Sequence, residues 1–101
     1  MLQLRPTCEH CNKPLPPAST EAMICSFECT FCLDCVQLQQ DVCPNCGGGF
    51  TPRPVRPAQN WKSQNSLLRY PATEQVTYQP VDLLAHAALV AQVNGRAPKD
   101  R

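Results

Sequence analysis

Eight cysteines in close pairs, all within the first half of a 101-residue chain, constrain its folding more than any other feature. They run Cys8-x2-Cys11, Cys25-x3-Cys29, Cys32-x2-Cys35 and Cys43-x2-Cys46. A two-residue gap lets both sulfurs of a tight turn reach one ion at about 2.3 Å, with backbone amides supporting the thiolates. The flanking residues suit such turns. Asn12 follows Cys11, and Gly47-Gly48-Gly49 follows Cys46; Asn and Gly tolerate the positive φ that these turns need. Pro44, between Cys43 and Cys46, pre-sets the first half of the last turn. All eight cysteines, Cys8, Cys11, Cys25, Cys29, Cys32, Cys35, Cys43 and Cys46, are therefore candidate metal ligands.

Disulfides are the competing use of cysteine. Met1-Leu2-Gln3-Leu4-Arg5-Pro6 contains no apolar run of signal-peptide length. No segment approaches the roughly 20 apolar residues that cross a bilayer. The expectation is a cytoplasmic chain with reduced thiols that bind metal, with no role at a membrane. Apart from cysteine, the first fifty residues offer Leu15, Met23, Ile24, Phe27, Phe31, Leu33, Val36, Leu38, Val42 and Phe50 as core. So short a module cannot offset its conformational entropy by burial alone. A structural zinc ion contributes on the order of 10–16 kcal/mol in isolated zinc-finger peptides. Two structural zinc ions are thus the expected cofactors, and no cooperative fold is expected without them.

The formal net charge of +1 conceals an asymmetry. In the first fifty residues Arg5 and Lys13 face Glu9, Glu21, Glu28, Asp34 and Asp41, a formal −3, while the remainder carries +4. Eight thiolates and two divalent ions lower the first part to about −7. An acidic module is a poor surface for phosphates. Nucleic-acid contact would have to come from Arg53, Arg56, Lys62 and Arg69 with Trp61 as a stacking platform. Four cations on that stretch read more simply as a solvated linker, so nucleic acid is not the expected partner.

The chain divides by composition. Residues 1–50 form the cysteine module. Residues 51–80 open with Thr51-Pro52-Arg53-Pro54-Val55-Arg56-Pro57, which alternates proline with cation and favours extended polyproline geometry, and continue as an irregular polar segment. Residues 81–95 read as a helix, rich in Ala and Leu, with Pro80 at its start and Asn94-Gly95 as its stop. Leu84, Ala87, Ala88 and Ala91 form its apolar stripe, widened by Val81, Leu89 and Val93. Residues 96–101 are a tail. The helix serves either to pack on the module or to dock a partner. His10, inside the first cysteine pair, reads as a solvent-facing turn residue, and His86 as a half-exposed helix residue.

The pattern Cys8-x2-Cys11-x13-Cys25-x3-Cys29-x2-Cys32-x2-Cys35-x7-Cys43-Pro44-x-Cys46 resembles the RING finger, with Cys29 where most RINGs have His. Phe31 before Cys32 and Pro44 in the last pair match that family's habits. The resemblance implies a small RING-like, treble-clef fold with little regular secondary structure. It implies a cross-brace too: Cys8, Cys11, Cys32 and Cys35 on one zinc, Cys25, Cys29, Cys43 and Cys46 on the other. Spacing alone also permits sequential pairing. Residues 1–50, especially Ser19-Thr20-Glu21-Ala22 running into Ile24-Cys25-Ser26-Phe27-Glu28-Cys29-Thr30-Phe31-Cys32, also resemble a family of short bacterial proteins, domain of unknown function 1272. That resemblance implies a bacterial origin and an eight-cysteine metal site, and no activity.

Four functions follow. Four thiolates per ion leave no open coordination position, so the first reading is a non-catalytic zinc module that binds another protein as an adaptor. The second is a RING-like ligase for a ubiquitin-type modifier. Against it, Glu9 and His10 replace the usual apolar residue of the first pair. The gap from Cys35 to Cys43 lacks room for the usual central helix and carries no Trp, and Gly47 follows the last cysteine where a basic residue is common. The third is redox: Cys29-x2-Cys32-x2-Cys35 before Cys43-Pro44 partly resembles a ferredoxin iron–sulfur run, and zinc thiolates release metal when oxidised. No cysteine is marked by sequence as exposed and reactive. Nucleic-acid binding by the linker is the fourth.

Overall fold

The computed structural model describes all 101 residues. Regular structure is sparse. Strands β1 (Ala22–Ile24), β2 (Thr30–Cys32) and β3 (Thr51–Pro52) form a sheet in the order β2-β1-β3, antiparallel throughout. The β1–β2 hairpin pairs Ala22 with Cys32 and Ile24 with Thr30, so its five-residue tip carries Cys25 and Cys29. Helix α1 (Leu33–Leu38) starts directly at Cys32 and stops because Gln40 and Asp41 both take left-handed φ, 55° and 58°. Asp41 then turns the chain back toward the sheet, its Oδ1 accepting the Phe50 N–H at 3.0 Å. Helix α2 (Leu83–Val93) is capped at its start by Asp82, which accepts from the Leu84 and Ala85 amides. Left-handed Asn94 ends it, as the Asn94-Gly95 pair predicts. A 3₁₀ turn covers Pro98–Asp100.

Sulfur makes up most of the core. Its main cluster is Cys8, Leu15, Ala22, Cys25, Cys29, Phe31, Cys32, Cys35, Val36, Cys43 and Phe50, six of the eleven being cysteines. Phe31 and Phe50 meet edge to face at 5.5 Å, the preferred geometry for an aromatic pair. Three residues expected in the core are outside it: Phe27, Leu33 and Leu38 are exposed, Phe27 by 72%. With so few residues, the thiols take the interior and these apolar side chains are left on the surface. Leu4 is buried instead.

The Pro-Arg segment is no free linker. Thr51 and Pro52 pair with β1, and Arg53, only 4% exposed, donates to the carbonyls of Arg5 (2.9 Å), Leu15 (3.2 Å) and Pro16 (3.0 Å). Arg56 donates to the carbonyls of Leu2 and Tyr70 at 2.7 and 2.6 Å. Burial lowers the pKa of the Arg53 guanidinium, yet three carbonyl oxygens receive it. Two of the four cations that a nucleic-acid surface would use are thus directed inward. Trp61, the supposed stacking platform, is exposed.

Helix α2 packs on the cysteine module with a different face from the one its sequence suggests. Leu84, Ala87, Ala88 and Ala91 face solvent; His86 and Val93 are buried, and Leu89 and Val90 partly so. His86, expected to be half exposed, is 5% exposed, and its Nε2 donates to the Val42 carbonyl at 2.7 Å. His10, expected to face solvent, is half-buried, its Nδ1 accepting the Val81 N–H at 2.8 Å. The tail closes the attachment, Arg101 donating to the carbonyls of Asp41 (2.8 Å) and Gly47 (3.2 Å).

Candidate metal centre

The first and last cysteine pairs are the same turn built twice. The Cys8 N–H donates to the Lys13 carbonyl at 2.9 Å and the Cys43 N–H to the Gly48 carbonyl at 2.8 Å. One residue earlier in each turn, the amides of Asn12 and Gly47 donate back to the Cys8 and Cys43 carbonyls at 2.9 and 2.8 Å. Asn12 and Gly47 are left-handed, φ 63° and 78°, which is why Asn and Gly stand there. Cys32 and Cys35 are placed otherwise, at the end of β2 and in the first turn of α1. The hairpin-tip pair is different again. The left-handed residue is Glu28 (φ 66°), whose N–H donates to the Cys25 carbonyl at 3.0 Å, and Cys29 comes after it, its carbonyl accepting the Cys25 N–H at 3.2 Å.

Two groups of sulfurs result. Those of Cys8, Cys11, Cys32 and Cys35 all lie within 4.8 Å of one another, as do those of Cys25, Cys43 and Cys46. The grouping is interleaved along the chain: the first pair joins the third, and Cys25 of the second joins the fourth. Four sulfurs at about 2.3 Å from one tetrahedral ion stand about 3.8 Å apart. Cys11 and Cys32 have their sulfurs at 3.8 Å. The thiol donor set and this spacing suit a thiophilic divalent ion. Cys29 is the one predicted ligand outside either group. Its sulfur is held by the Asn45 side-chain amide, which donates to it at 3.4 Å.

The thiols by themselves resist sharing a site. Burial raises Cys8, but the backbone amides of Cys11, Cys32 and His10 outweigh it and bring Cys8 below the ordinary thiol value. Burial likewise opposes ionisation of Cys25, and the amides of Phe27 and Cys29 reverse it. Cys32 and Cys35 in the first group, and Cys29 and Cys43 beside or in the second, are raised, by burial first and then by neighbouring sulfur. Each group therefore accepts one negative charge readily and opposes the next, which a divalent cation reverses. In each group one sulfur residue, Cys11 or Cys46, is exposed.

Glu9, in the turn between Cys8 and Cys11, escaped the sequence reading as an internal residue. It is buried, and its carboxylate accepts from the Thr30 amide and from Arg5 at 2.8 Å, tying the first turn to β2. No signal in one sequence separates it from a surface Glu. Above it, a cavity of about 290 Å³ lies between Glu9, Pro44 and Asn45 on the module and Val81, Ala85 and Leu89 beyond.

These features define a small domain with few secondary-structure elements and two cysteine clusters able to hold metal ions. The profile of the family described as "Protein of unknown function (DUF1272)" matches residues 1–56, and the chain belongs to that family. The match runs past the last cysteine to take in β3 and Arg53, the segment that the structure joins to the module. An uncharacterized protein of Rhizobium meliloti (strain 1021) is 49% identical over 81 residues, covering 79% of this chain and 89% of that protein. No solved structure matches the chain. No helix is long and apolar enough to cross a membrane.

Proposed function

We propose that this chain is a non-catalytic zinc module that serves as an adaptor for a protein partner. Cys8, Cys11, Cys32 and Cys35 hold one zinc ion; Cys25, Cys43 and Cys46, with Cys29 as the nearest fourth sulfur, hold the other. The observation that carries the reading is the interleaved grouping of seven sulfurs. It is the order a RING-like cross-brace requires, and it supports that architecture over sequential pairing. Thiolate-saturated zinc has no position from which to activate water, so the ions act by shaping the surface. Exposed Phe27, on the hairpin tip beside the second centre, is the anchor for a partner, since large apolar side chains on rigid supports dominate interface energetics.

The ligase alternative is weakened by the C-terminal segment. Val81 is hydrogen-bonded to His10 of the first turn, and Leu89 approaches Gly47 of the last, so the segment lies over both turns. The redox alternative has one observation in its favour, the exposure of Cys11 and Cys46. Native mass spectrometry of the purified chain tests the reading: the expected mass exceeds the apo-chain by two zinc ions less the displaced protons. A chain carrying no metal, or an iron–sulfur mass with brown colour, refutes it. For the adaptor role, Phe27→Ser leaves the two-zinc mass unchanged and abolishes partner binding.

A further inference from the structure

The seam between the cysteine module and the C-terminal segment holds a cavity of about 290 Å³, at the small end of ligand pockets. Two of its walls are buried polar side chains, each with an unused acceptor. Glu9, 3% exposed, spends Oε2 on Arg5 and the Thr30 amide and bonds nothing through Oε1. His86, 5% exposed, donates from Nε2 to the Val42 carbonyl, which leaves Nδ1 an acceptor without a partner. Protein seals neither atom, since the fully enclosed unpartnered side-chain atoms belong to Thr7 and Gln39. Of the cavities in the molecule, this is the one that Glu9 and His86 line, so both acceptors open on it. At the mouth, exposed Asp82 adds a second carboxylate, whose Oδ1 caps α2 and whose Oδ2 is free.

We propose that this cavity binds an alkylammonium group, that of a small primary amine or of a lysine side chain. No Lys or Arg lines it, and the Asn45 side-chain NH2 is spent on the Cys29 sulfur, leaving its Oδ1. An anion would meet two carboxylates and no cation. An ammonium carries three donors and no acceptor, matching in number Glu9 Oε1, His86 Nδ1 and a rim acceptor at Asp82 or Asn45. Its charge is received by Glu9, which Arg5 pairs through the other oxygen, and by Asp82, which has no ion-pair partner and offsets the positive end of α2. Phe31, Pro44, Val81 and Leu89 supply apolar wall for a short hydrocarbon chain. A buried acceptor without a donor is costly, and the ligand removes that cost at two places.

Titrations of the full zinc-loaded chain, followed by two-dimensional amide NMR spectra, test it. n-Butylammonium is expected to shift the Val81, Ala85 and His86 amides saturably. n-Butanol, neutral and of the same shape, is expected to bind at least about tenfold more weakly, because hydrogen bonds from a charged donor exceed neutral ones. Nα-acetyl-lysine methylamide, titrated in parallel, separates the sources: the tighter of the two amines tells whether a free amine or a protein's lysine is the occupant. Ala85→Trp fills the cavity from its rim without touching an acceptor and is expected to abolish binding. Glu9→Gln is expected to weaken it at least about tenfold with the metal content by native mass spectrometry unchanged. Should Glu9→Gln fail to fold, the butanol comparison and Ala85→Trp decide. Butanol or n-butyrate binding as tightly as n-butylammonium, shifts that grow linearly and spread over exposed carboxylates, or undiminished binding by Ala85→Trp overturns the inference and leaves the two-zinc reading standing.

Discussion

Arg53→Met separates a tether from a linker. The substitution keeps most of the apolar stem and removes the guanidinium that reaches the carbonyls of Arg5, Leu15 and Pro16. Three charge-assisted bonds at about 1.5–3 kcal/mol each, less the cost of burying the cation, leave about 3 kcal/mol of net stabilisation. The loss falls on the junction of β3 with the N-terminal segment. The assay is urea unfolding of the zinc-loaded protein at fixed, buffered free zinc, followed by circular dichroism. A midpoint lower by about 1–3 M urea is expected. Arg53→Lys recovers less than half of the loss, because an ammonium cannot fork across separated carbonyls. A change within about 0.5 kcal/mol for Arg53→Met, the range of ordinary surface substitutions, refutes the reasoning and returns the segment to solvent.

The other predictions concern the metal and the tail. Excess chelator converts the sigmoidal thermal melt followed by circular dichroism into a featureless slope, and a melt that stays cooperative overturns the metal-dependent core. Zinc affinity at the first centre rises with pH, by at least about 100-fold per unit near neutrality, since the ion displaces a proton from each of Cys32 and Cys35, both raised above the ordinary thiol value. The rise flattens once pH passes those raised values; competition titrations between pH 6 and 8 check it, and a flat profile counts against it. Gly49→Ala places a methyl group 2.6 Å from Cγ of Pro98. It dislodges the C-terminal turn at a cost of about 1–3 kcal/mol, seen as faster tryptic cleavage after Arg96 and Lys99.

The sulfur clusters were largely legible in the sequence because ligand spacing is itself coordination chemistry. Asn12 and Gly47 announce the left-handed turns that aim Cys8, Cys11, Cys43 and Cys46. Cys25-x3-Cys29 carries the same kind of signal, but one extra residue moves the left-handed position to Glu28, and only the folded backbone shows that the Cys29 sulfur, though beside that of Cys25, falls outside the close group of Cys25, Cys43 and Cys46. Helix α2 was legible as a helix and misleading as a surface. Periodicity ranks side chains by apolarity, whereas its orientation is set by a partner: the Val42 carbonyl accepts from His86, and the apolar Leu84–Ala91 stripe is left to water. Phe27, Leu33 and Leu38 were misplaced for the converse reason, since thiols had already filled the interior they were expected to fill.

The role of the arginines follows from a shortage that a residue count does disclose. Eleven prolines remove eleven backbone donors and no acceptors. With only 38 backbone–backbone hydrogen bonds in 101 residues, many carbonyls need donors from elsewhere. Arg53, Arg56, Arg96 and Arg101 make all their hydrogen bonds to carbonyls. Four of the acceptors, those of Arg5, Leu15, Pro16 and Tyr70, belong to residues directly preceding a proline. Extended backbone before proline turns its carbonyl away from local turns, and a long planar donor is the side chain that can reach it. The basic character of the second half is therefore largely an internal supply of hydrogen-bond donors for a proline-rich backbone. Its positive charge marks how the chain is tied to the cysteine module.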